Sequence, residues 1–195
     1  MRKSRTDTAE TRQRIVAVAS REFMAKGLAT TGIADIMAAA GLTQGGFYRH
    51  FESKEQLIAE ASALAFAQGY EVLEASIAGK TRGEALKIMI DLYLQQLQRV
   101  DSDYLCPLAN IGSELRINDE AIKATACEGY RRLAELFGRQ AELVDLLSDV
   151  EIGYAVVSTL AGAIMLSRLA KDPASAEAVL RSAKSLLLLL LQKEH

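Results

Sequence analysis

Helix-forming residues dominate this chain, and no segment shows the alternation of apolar and polar residues that a half-buried strand requires. Ala, Leu, Glu, Gln, Lys and Arg recur throughout, whereas only two prolines, Pro107 and Pro173, occur in 195 residues. Half of the residues are hydrophobic, which is enough for a sizeable core at this length. The sequence therefore predicts an all-α protein with one or two compact domains.

Capping residues and glycines divide the N-terminal part into short helices. Asp7 and Glu10 form a capping pair before an apolar run that Gly27 ends. Thr31 is placed to cap a second, shorter helix, which Gly41 stops. These signals predict two helices within the first 41 residues.

Two further capping signals follow directly. Thr43 precedes a very short third helix over residues 44–51, and Ser53 opens a capping box at the start of a long fourth helix. Three short helices and a fourth leading away predict a small domain over residues 1–55. The remaining residues, 56–195, form the larger domain.

Capping residues also mark the predicted helix boundaries in the larger domain. Thr81 and Glu84 form a capping box before apolar residues that recur at i, i+3, i+4 and i+7 up to Val100. We expect four more helices, which begin at Pro107, run from about Asp119 to Gln140, from Asp149 to Lys171, and from Asp172 to Lys193. The whole chain then has about nine helices.

The last two predicted helices are apolar on nearly every side, and a helix of that kind must be covered on every side. One protomer has few helices to cover both, so we expect a homodimer that packs them as a four-helix bundle. The expected interface residues are Val156, Leu160, Ile164, Val179, Leu186 and Leu190. The leucine run could instead be an over-rich core helix or an aggregation-prone end. We do not expect a membrane span, because Arg168 interrupts the most apolar run.

The segment QGGFYRHF, residues 44–51, places two glycines in a helix that each of them weakens by about 1 kcal/mol relative to alanine. The second and third predicted helices are joined by a short turn that contains Gly41, which is the spacing of a helix-turn-helix. In that motif the second helix lies in the DNA major groove. Gly45 and Gly46 would then let the backbone approach the DNA closely.

Residues around this segment fit contact with DNA. Residues 1–55 carry 9 Lys and Arg and 6 Asp and Glu. This N-terminal domain is therefore basic, although the whole chain has a net charge of -2. Phe47 and Phe51 are expected to point inward as core. The candidate DNA-binding residues are Thr31, Thr43, Gln44, Gly45, Gly46, Tyr48, Arg49, His50 and Lys54.

The block from Thr11 to Leu57 resembles the DNA-binding domain of TetR-type (tetracycline-repressor-like) transcriptional regulators. It reads TRQRIVAVASREFMAKG and then TTGIADIMAAAGLTQGGFYRHFESKEQL, with the Ala-Gly end of the second helix, Tyr-x-His-Phe and Ser-Lys-Glu of that family. Where the family often has Thr or Ser, this chain has Gly46. The resemblance implies a dimeric repressor that a small ligand releases from a palindromic operator, with the helix beginning at Lys54 as the lever.

In such proteins the larger domain holds the ligand pocket. The resemblance implies that its walls come from helices that here carry Phe66, Tyr70, Tyr93, Leu97, Cys106, Cys127 and Tyr130. Each of these residues could also be plain core. The apolar surroundings favour a hydrophobic or aromatic effector.

Cys106 admits two interpretations. It stands before Pro107 at the start of a short helix, where the helix dipole can lower a thiol pKa, and its surroundings resemble a branch of the family that responds to electrophiles or oxidants. It could equally be a buried structural or pocket-lining thiol. The chain has two cysteines, Cys106 and Cys127. We interpret both as free thiols of a protein in a reducing cytoplasm.

Other functional classes fit the sequence poorly. It has no Gly-rich phosphate loop, no catalytic triad order and no convincing carboxylate pair, so we expect no enzyme and no cofactor. No Cys or His pair stands at metal-ligand spacing, so we expect no metal site. A helical ligand carrier without DNA activity would leave the glycines at 45 and 46 unexplained.

Overall fold

The computed structural model describes residues 5–95, 106–115, 119–141 and 148–191. Within these ranges the regular structure is helical throughout. In chain order the helices are α1 (Arg5–Lys26), α2 (Ile33–Ala39), the 3-10 helix Gln44–Arg49, α3 (Lys54–Ser76), α4 (Arg82–Gln95), α5 (Pro107–Ile111), α6 (Glu120–Gly138), α7 (Asp149–Ser167) and α8 (Pro173–Leu191). The all-α prediction is confirmed.

Two hydrophobic cores lie along the molecule. The first core is built by α1, α2, the 3-10 helix and the N-terminal half of α3, and it buries Phe23 together with Phe47 and Phe51. The inward orientation predicted for Phe47 and Phe51 is therefore confirmed. Ile111 and Leu115 also lie in this first core, although they are far along the chain. The second core is formed by α4, α6, α7 and α8 with the C-terminal part of α3.

The glycines predicted to end the first two helices do so. Gly27 and Gly41 have φ of +89° and +71°, a conformation that costs other residues about 1 kcal/mol or more. The predicted starts of these helices differ from the structure. Asp7 lies within the first turn of α1, and α2 begins after Gly32, whose N–H donates to the carboxylate of Asp35 at 3.1 Å.

Thr31 therefore does not cap α2. Its side chain is only 1% exposed, and its hydroxyl donates to the carbonyl oxygen of Gly27 at 2.7 Å. Because this hydroxyl is buried and bonded within the turn, its assignment as a DNA contact is corrected. The cap predicted at Ser53 is confirmed, since its hydroxyl oxygen accepts a hydrogen bond from the backbone N–H of Gln56. The carboxylate of Asp119 caps α6 in the same way, by accepting from the N–H of Ile122.

Helices α6 and α7 pack backbone against backbone. A Cβ atom on Gly138 would lie 1.7 Å from the carbonyl oxygen of Asp149, and one on Gly153 would lie 1.8 Å from that of Ala134. Real carbon and oxygen atoms cannot approach so closely. The two glycines therefore set the distance between the two central helices of the second core.

Helix α7 alone among the described helices is long and apolar enough to cross a membrane. It packs against α4, α5, α6 and α8, as the core helix of a soluble protein does. Val156, Leu160 and Ile164 lie on its buried face and belong to the second core. Since a partner cannot reach them there, their assignment to a dimer interface is corrected.

The remaining expected interface residues lie on α8. Val179 is half-buried and Leu186 is exposed, while the side chain of Leu190 lies outside the described part of the structure. Large exposed apolar side chains do occur on and near α7 and α8. They are Met165, Leu166, Leu169, Leu186 and Leu189.

We expect Gly153→Ala to lower the free energy of unfolding by about 2 kcal/mol, because the added methyl forces α6 and α7 apart. Urea unfolding followed by circular dichroism measures the change. The control is Gly69→Ala on α3, where a Cβ meets no heavy atom within 4 Å. That control is expected to be up to about 1 kcal/mol more stable than the wild type. Equal stability of the two variants would contradict the close packing of α6 on α7.

Candidate nucleic-acid interface and ligand pocket

The 3-10 helix Gln44–Arg49 follows α2 after a short turn and packs against it, which completes a helix-turn-helix. Its inner side is fixed by Phe47, whose ring contacts those of Tyr48 and Phe51 at centroid distances of 5.1 and 5.5 Å. Its outer side carries polar groups. Thr43, Gln44, Gly45, Tyr48 and Arg49 are all exposed, as expected for a surface that contacts another molecule.

Neither glycine of this helix is required by the fold of the protomer. A Cβ on Gly45 would meet no heavy atom within 4 Å, and one on Gly46 would lie 3.6 Å from Met37 Cε, an ordinary contact. Neither has a positive φ, unlike Gly27 and Gly41. Alanine would therefore fit at both positions, and internal packing gives no reason for the weaker helix former.

Arg12 on α1 holds the C-terminal end of the 3-10 helix. Its Nε donates to the carbonyl oxygen of His50 at 3.2 Å, and its guanidinium lies 4.5 Å from the centroid of Phe51. Both terminal nitrogens donate to the carboxylate of Glu60 on α3, one of them at 2.6 Å. The hydrogen bond to Glu60 raises the pKa of Arg12, although partial burial opposes this shift.

Sequence reasoning missed Arg12 and Glu60, because they are 48 residues apart and each looks like an ordinary helix-surface charge. The structure also changes the interpretation of Lys54. Its Nζ donates to the carbonyl oxygen of Leu28 at 2.9 Å, so in this conformation it holds the α1–α2 turn rather than facing outward. His50, the remaining candidate, is half-buried.

Beyond this helix-turn-helix, an open cleft of about 360 Å³ lies between α3 and α6. Both apolar and polar side chains line it. The lining residues are Ala63, Phe66, Ala67, Tyr70, Ala124, Thr125, Glu128, Gly129 and Arg132. The guanidinium of Arg132 lies 4.7 Å from the centroid of Tyr70, which brings one cation to the mouth of an apolar cleft.

A smaller inner pocket of about 20 Å³ lies behind the cleft. Phe66 and Tyr70 line both spaces, so the two spaces adjoin at these residues. The inner pocket is otherwise apolar, and it ends at Tyr93 and Cys106. The hydroxyl of Tyr93 donates to Cys106 Sγ at 2.9 Å.

Burial raises the pKa of the Cys106 thiol, and the hydrogen bond from Tyr93 opposes this shift only in part. Of the two interpretations of Cys106, this favours the buried or pocket-lining thiol over a thiol whose pKa the helix dipole lowers. Helix α5 has only five residues, so its dipole is small compared with the cost of placing a thiolate in an apolar site. Burial likewise raises the pKa of Tyr93.

The structure brings together four of the seven residues expected to line a pocket: Phe66, Tyr70, Tyr93 and Cys106. Tyr130 instead donates to the carbonyl oxygen of Tyr154 and shares a 2.6 Å hydrogen bond with Ser158.

Cys127 is exposed and lines neither space, and Leu97 lies outside the described residues. Gly129 and Arg132 were missed, because a helical spacing alone does not show which face turns toward α3. The described residues contain no group of three His, Cys, Asp or Glu side chains that could hold a metal ion.

Comparisons with known proteins agree with this architecture. Residues 15–61 match the sequence model of the family described as bacterial regulatory proteins, tetR family. An uncharacterized HTH-type transcriptional regulator of Mycobacterium tuberculosis is 30% identical over 189 residues, which cover 91% of this chain and 94% of that protein. The HTH-type transcriptional regulator AcrR of Shigella flexneri is 27% identical, over 76% of this chain and 73% of its own.

A solved structure shows the same fold along the whole chain. The crystal structure of a TetR transcriptional regulator from Chloroflexus aurantiacus superposes with a TM-score of 0.78 at 27% identity, covering 97% of this chain and 98% of that one. The match therefore extends beyond the helix-turn-helix to the larger helical part. On these similarities and on the helix-turn-helix at residues 33–49, the chain belongs to the TetR family of bacterial regulatory proteins and is a DNA-binding transcriptional regulator, not an enzyme.

Proposed function

We propose that this regulator is a homodimeric repressor, which binds a palindromic operator and is released from it by a small hydrophobic or aromatic ligand. The observation that carries the proposal is the exposed first turn of the 3-10 helix, where Gly45 lacks a side chain for no reason internal to the protomer. A surface of bare backbone is useful where another molecule must come close. In a helix-turn-helix that molecule is DNA.

The side chains around this turn divide into two roles. Gln44 and Arg49 can donate to base edges in the major groove, where amide and guanidinium groups distinguish adenine and guanine. Thr43 and Tyr48 can position the helix by hydrogen bonds to phosphates. Arg12 contributes indirectly, because its bond to the carbonyl oxygen of His50 fixes the end of the helix.

We expect Gly45→Ala to weaken operator binding about tenfold, because the methyl separates the helix from the base edges by more than a hydrogen bond tolerates. The stability of the fold should stay equal or rise, since the methyl meets nothing inside the protomer. Fluorescence anisotropy measures affinity for a duplex selected by the wild type from random DNA, at several salt concentrations. The wild-type affinity should fall steeply with salt.

Gly69→Ala is the matched control, because it also adds a methyl at an open helical position but lies on α3. It should bind the duplex as the wild type does. Unchanged binding by Gly45→Ala would contradict close approach of this turn to DNA. Failure of the wild type to bind any duplex at low salt would contradict DNA binding altogether.

The dimer is proposed from the exposed apolar side chains of the C-terminal helices. Leu166, Leu169 and Leu189 are more than half exposed on or near α7 and α8, where a single protomer leaves them in water. An isologous contact through this surface would cover them and place two 3-10 helices on one side of the dimer. Two such helices match two half-sites of a palindrome.

We expect the double variant Leu166→Glu/Leu189→Glu to be monomeric in sedimentation equilibrium, because two like charges would be buried at the contact. It should also lose most of its affinity for the selected duplex, since a monomer engages only one half-site. Lys87→Glu on α4 is the control, because it lowers the net charge by the same two units at an exposed site elsewhere. A dimeric double variant would place the interface on another surface.

The ligand site is proposed at the cleft and the inner pocket. About 360 Å³ accommodates a small molecule of one or two rings, and the rings of Phe66 and Tyr70 offer stacking surfaces. Helix α3 runs from this site to the first core, so a ligand that separates α3 from α6 would also shift the helix-turn-helix. Release follows if the ligand prefers the spacing that does not fit the operator.

A second candidate is a regulator that senses electrophiles or oxidants through Cys106. Cys106 lines the inner pocket and is only half-buried, which supports contact with a small reagent. The raised thiol pKa acts against it, because the thiolate is the reactive form. We therefore favour the noncovalent ligand, acting on a cytoplasmic protein with free thiols.

We expect iodoacetamide to alkylate Cys106 about tenfold more slowly than Cys127 at pH 8, because burial keeps the Cys106 thiol protonated while Cys127 is exposed. Mass spectrometry of timed samples measures both rates in one chain. Cys106→Ser and Cys127→Ser assign the two signals. Faster reaction at Cys106, with release of the selected duplex, would instead support the sensor.

A further inference from the structure

The turn between α1 and α2 is held from outside by two side chains. Lys54 Nζ donates to the carbonyl oxygen of Leu28 at 2.9 Å, and the carboxylate of Glu114 accepts the N–H of the next residue, Ala29, at 2.8 Å. Glu114 is 85 residues away in sequence and follows α5, in the larger part of the chain. A Cβ on Gly27 would lie only 2.9 Å from Oε1 of this carboxylate.

This turn is held from within by the hydroxyl of Thr31, which donates to the carbonyl oxygen of Gly27, and from outside by Lys54 and Glu114. It begins at Gly27 and ends at Gly32, and glycine gives the backbone at each end a wide choice of conformations. Helix α2 starts directly after Gly32, and the 3-10 helix packs on α2. The direction in which the turn leaves α1 therefore sets the orientation of both helices of the helix-turn-helix.

Glu114 is itself held firmly. Ile111 and Leu115, on either side of it, are both buried in the first core. On the other side of α5, Arg168 of α7 donates to the carbonyl oxygen of Ala109 at 3.0 Å and to the side chain of Asn110. The segment that carries Glu114 is thus anchored in both cores and can act as a fixed support for the turn.

We propose that Glu114 is a positioning residue for DNA binding, whose carboxylate fixes the α1–α2 turn and thereby the orientation of the 3-10 helix. The inference rests on the proposed operator binding. It adds a residue outside residues 1–55 to those that support DNA binding. The contact also joins the helix-turn-helix to the segment whose first residues, Cys106 and Pro107, line the inner pocket.

The test compares three substitutions at this position for affinity to the duplex selected by the wild type. Glu114→Ala removes the acceptor, and Glu114→Asp keeps the charge but withdraws the oxygen by one methylene. Both should bind about tenfold more weakly, as expected when a charge-assisted hydrogen bond is lost. Glu114→Gln keeps an acceptor oxygen at the same reach and should stay within about threefold of the wild type.

The direction of the change in DNA affinity distinguishes a positioning role of Glu114 from a purely electrostatic effect of its charge. Removing a carboxylate raises the net charge, which by itself favours binding to DNA. Glu177→Ala is the control, because it makes the same charge change on the exposed face of α8 and should bind as well as the wild type or better. A loss of affinity in Glu114→Ala is therefore opposite to the charge effect.

Hydrogen exchange supplies the second readout. The amide of Ala29 should exchange faster in Glu114→Asp than in the wild type or in Glu114→Gln, because only the aspartate fails to reach it. If Glu114→Ala does not fold, Glu114→Asp decides the outcome on its own. Affinity of Glu114→Asp equal to that of the wild type, with a wild type that binds its duplex, overturns the inference and leaves the proposed function standing.

Discussion

The DNA-binding end of this protein depends on the contacts that the guanidinium of Arg12 makes. It joins three elements at once, because it bonds to Glu60 on α3, to the carbonyl oxygen of His50, and lies over the ring of Phe51. The 3-10 helix has only six residues, too few to be stable without tertiary contacts. Phe47 and Phe51 hold it by burial, and Arg12 fixes its end.

Helix α3 contributes residues to both hydrophobic cores. Leu57 and Ile58 near its start are buried in the first core, whereas Leu73 near its end belongs to the second. Phe66 and Tyr70 between them form the wall of the cleft and the inner pocket. One helix thus has contacts in the DNA-binding end and in the proposed ligand site, so a change in its tilt would move residues of both.

Local chemistry made much of the fold predictable from the sequence. Ser53 caps α3 as expected, and Gly27 and Gly41 end the first two helices, because each of these effects involves residues within one helical turn. Packing was less predictable. Helix α7 is apolar on all sides, so its sequence could not show that Val156 faces the protomer's own core while Leu166 is exposed. Arg12 and Glu114 act across 48 and 85 residues, and no periodicity reveals such a pair.

Gly129 leaves space on α6 for the ring of Phe66. A methyl group at this position would lie 2.4 Å from Phe66 Cγ, so the phenyl ring occupies the volume that any other residue would fill. The ring therefore packs directly against the backbone of α6 at Gly129. Alanine or serine at this position would displace a side chain that lines both the cleft and the inner pocket, and would so change the volume of the proposed ligand site.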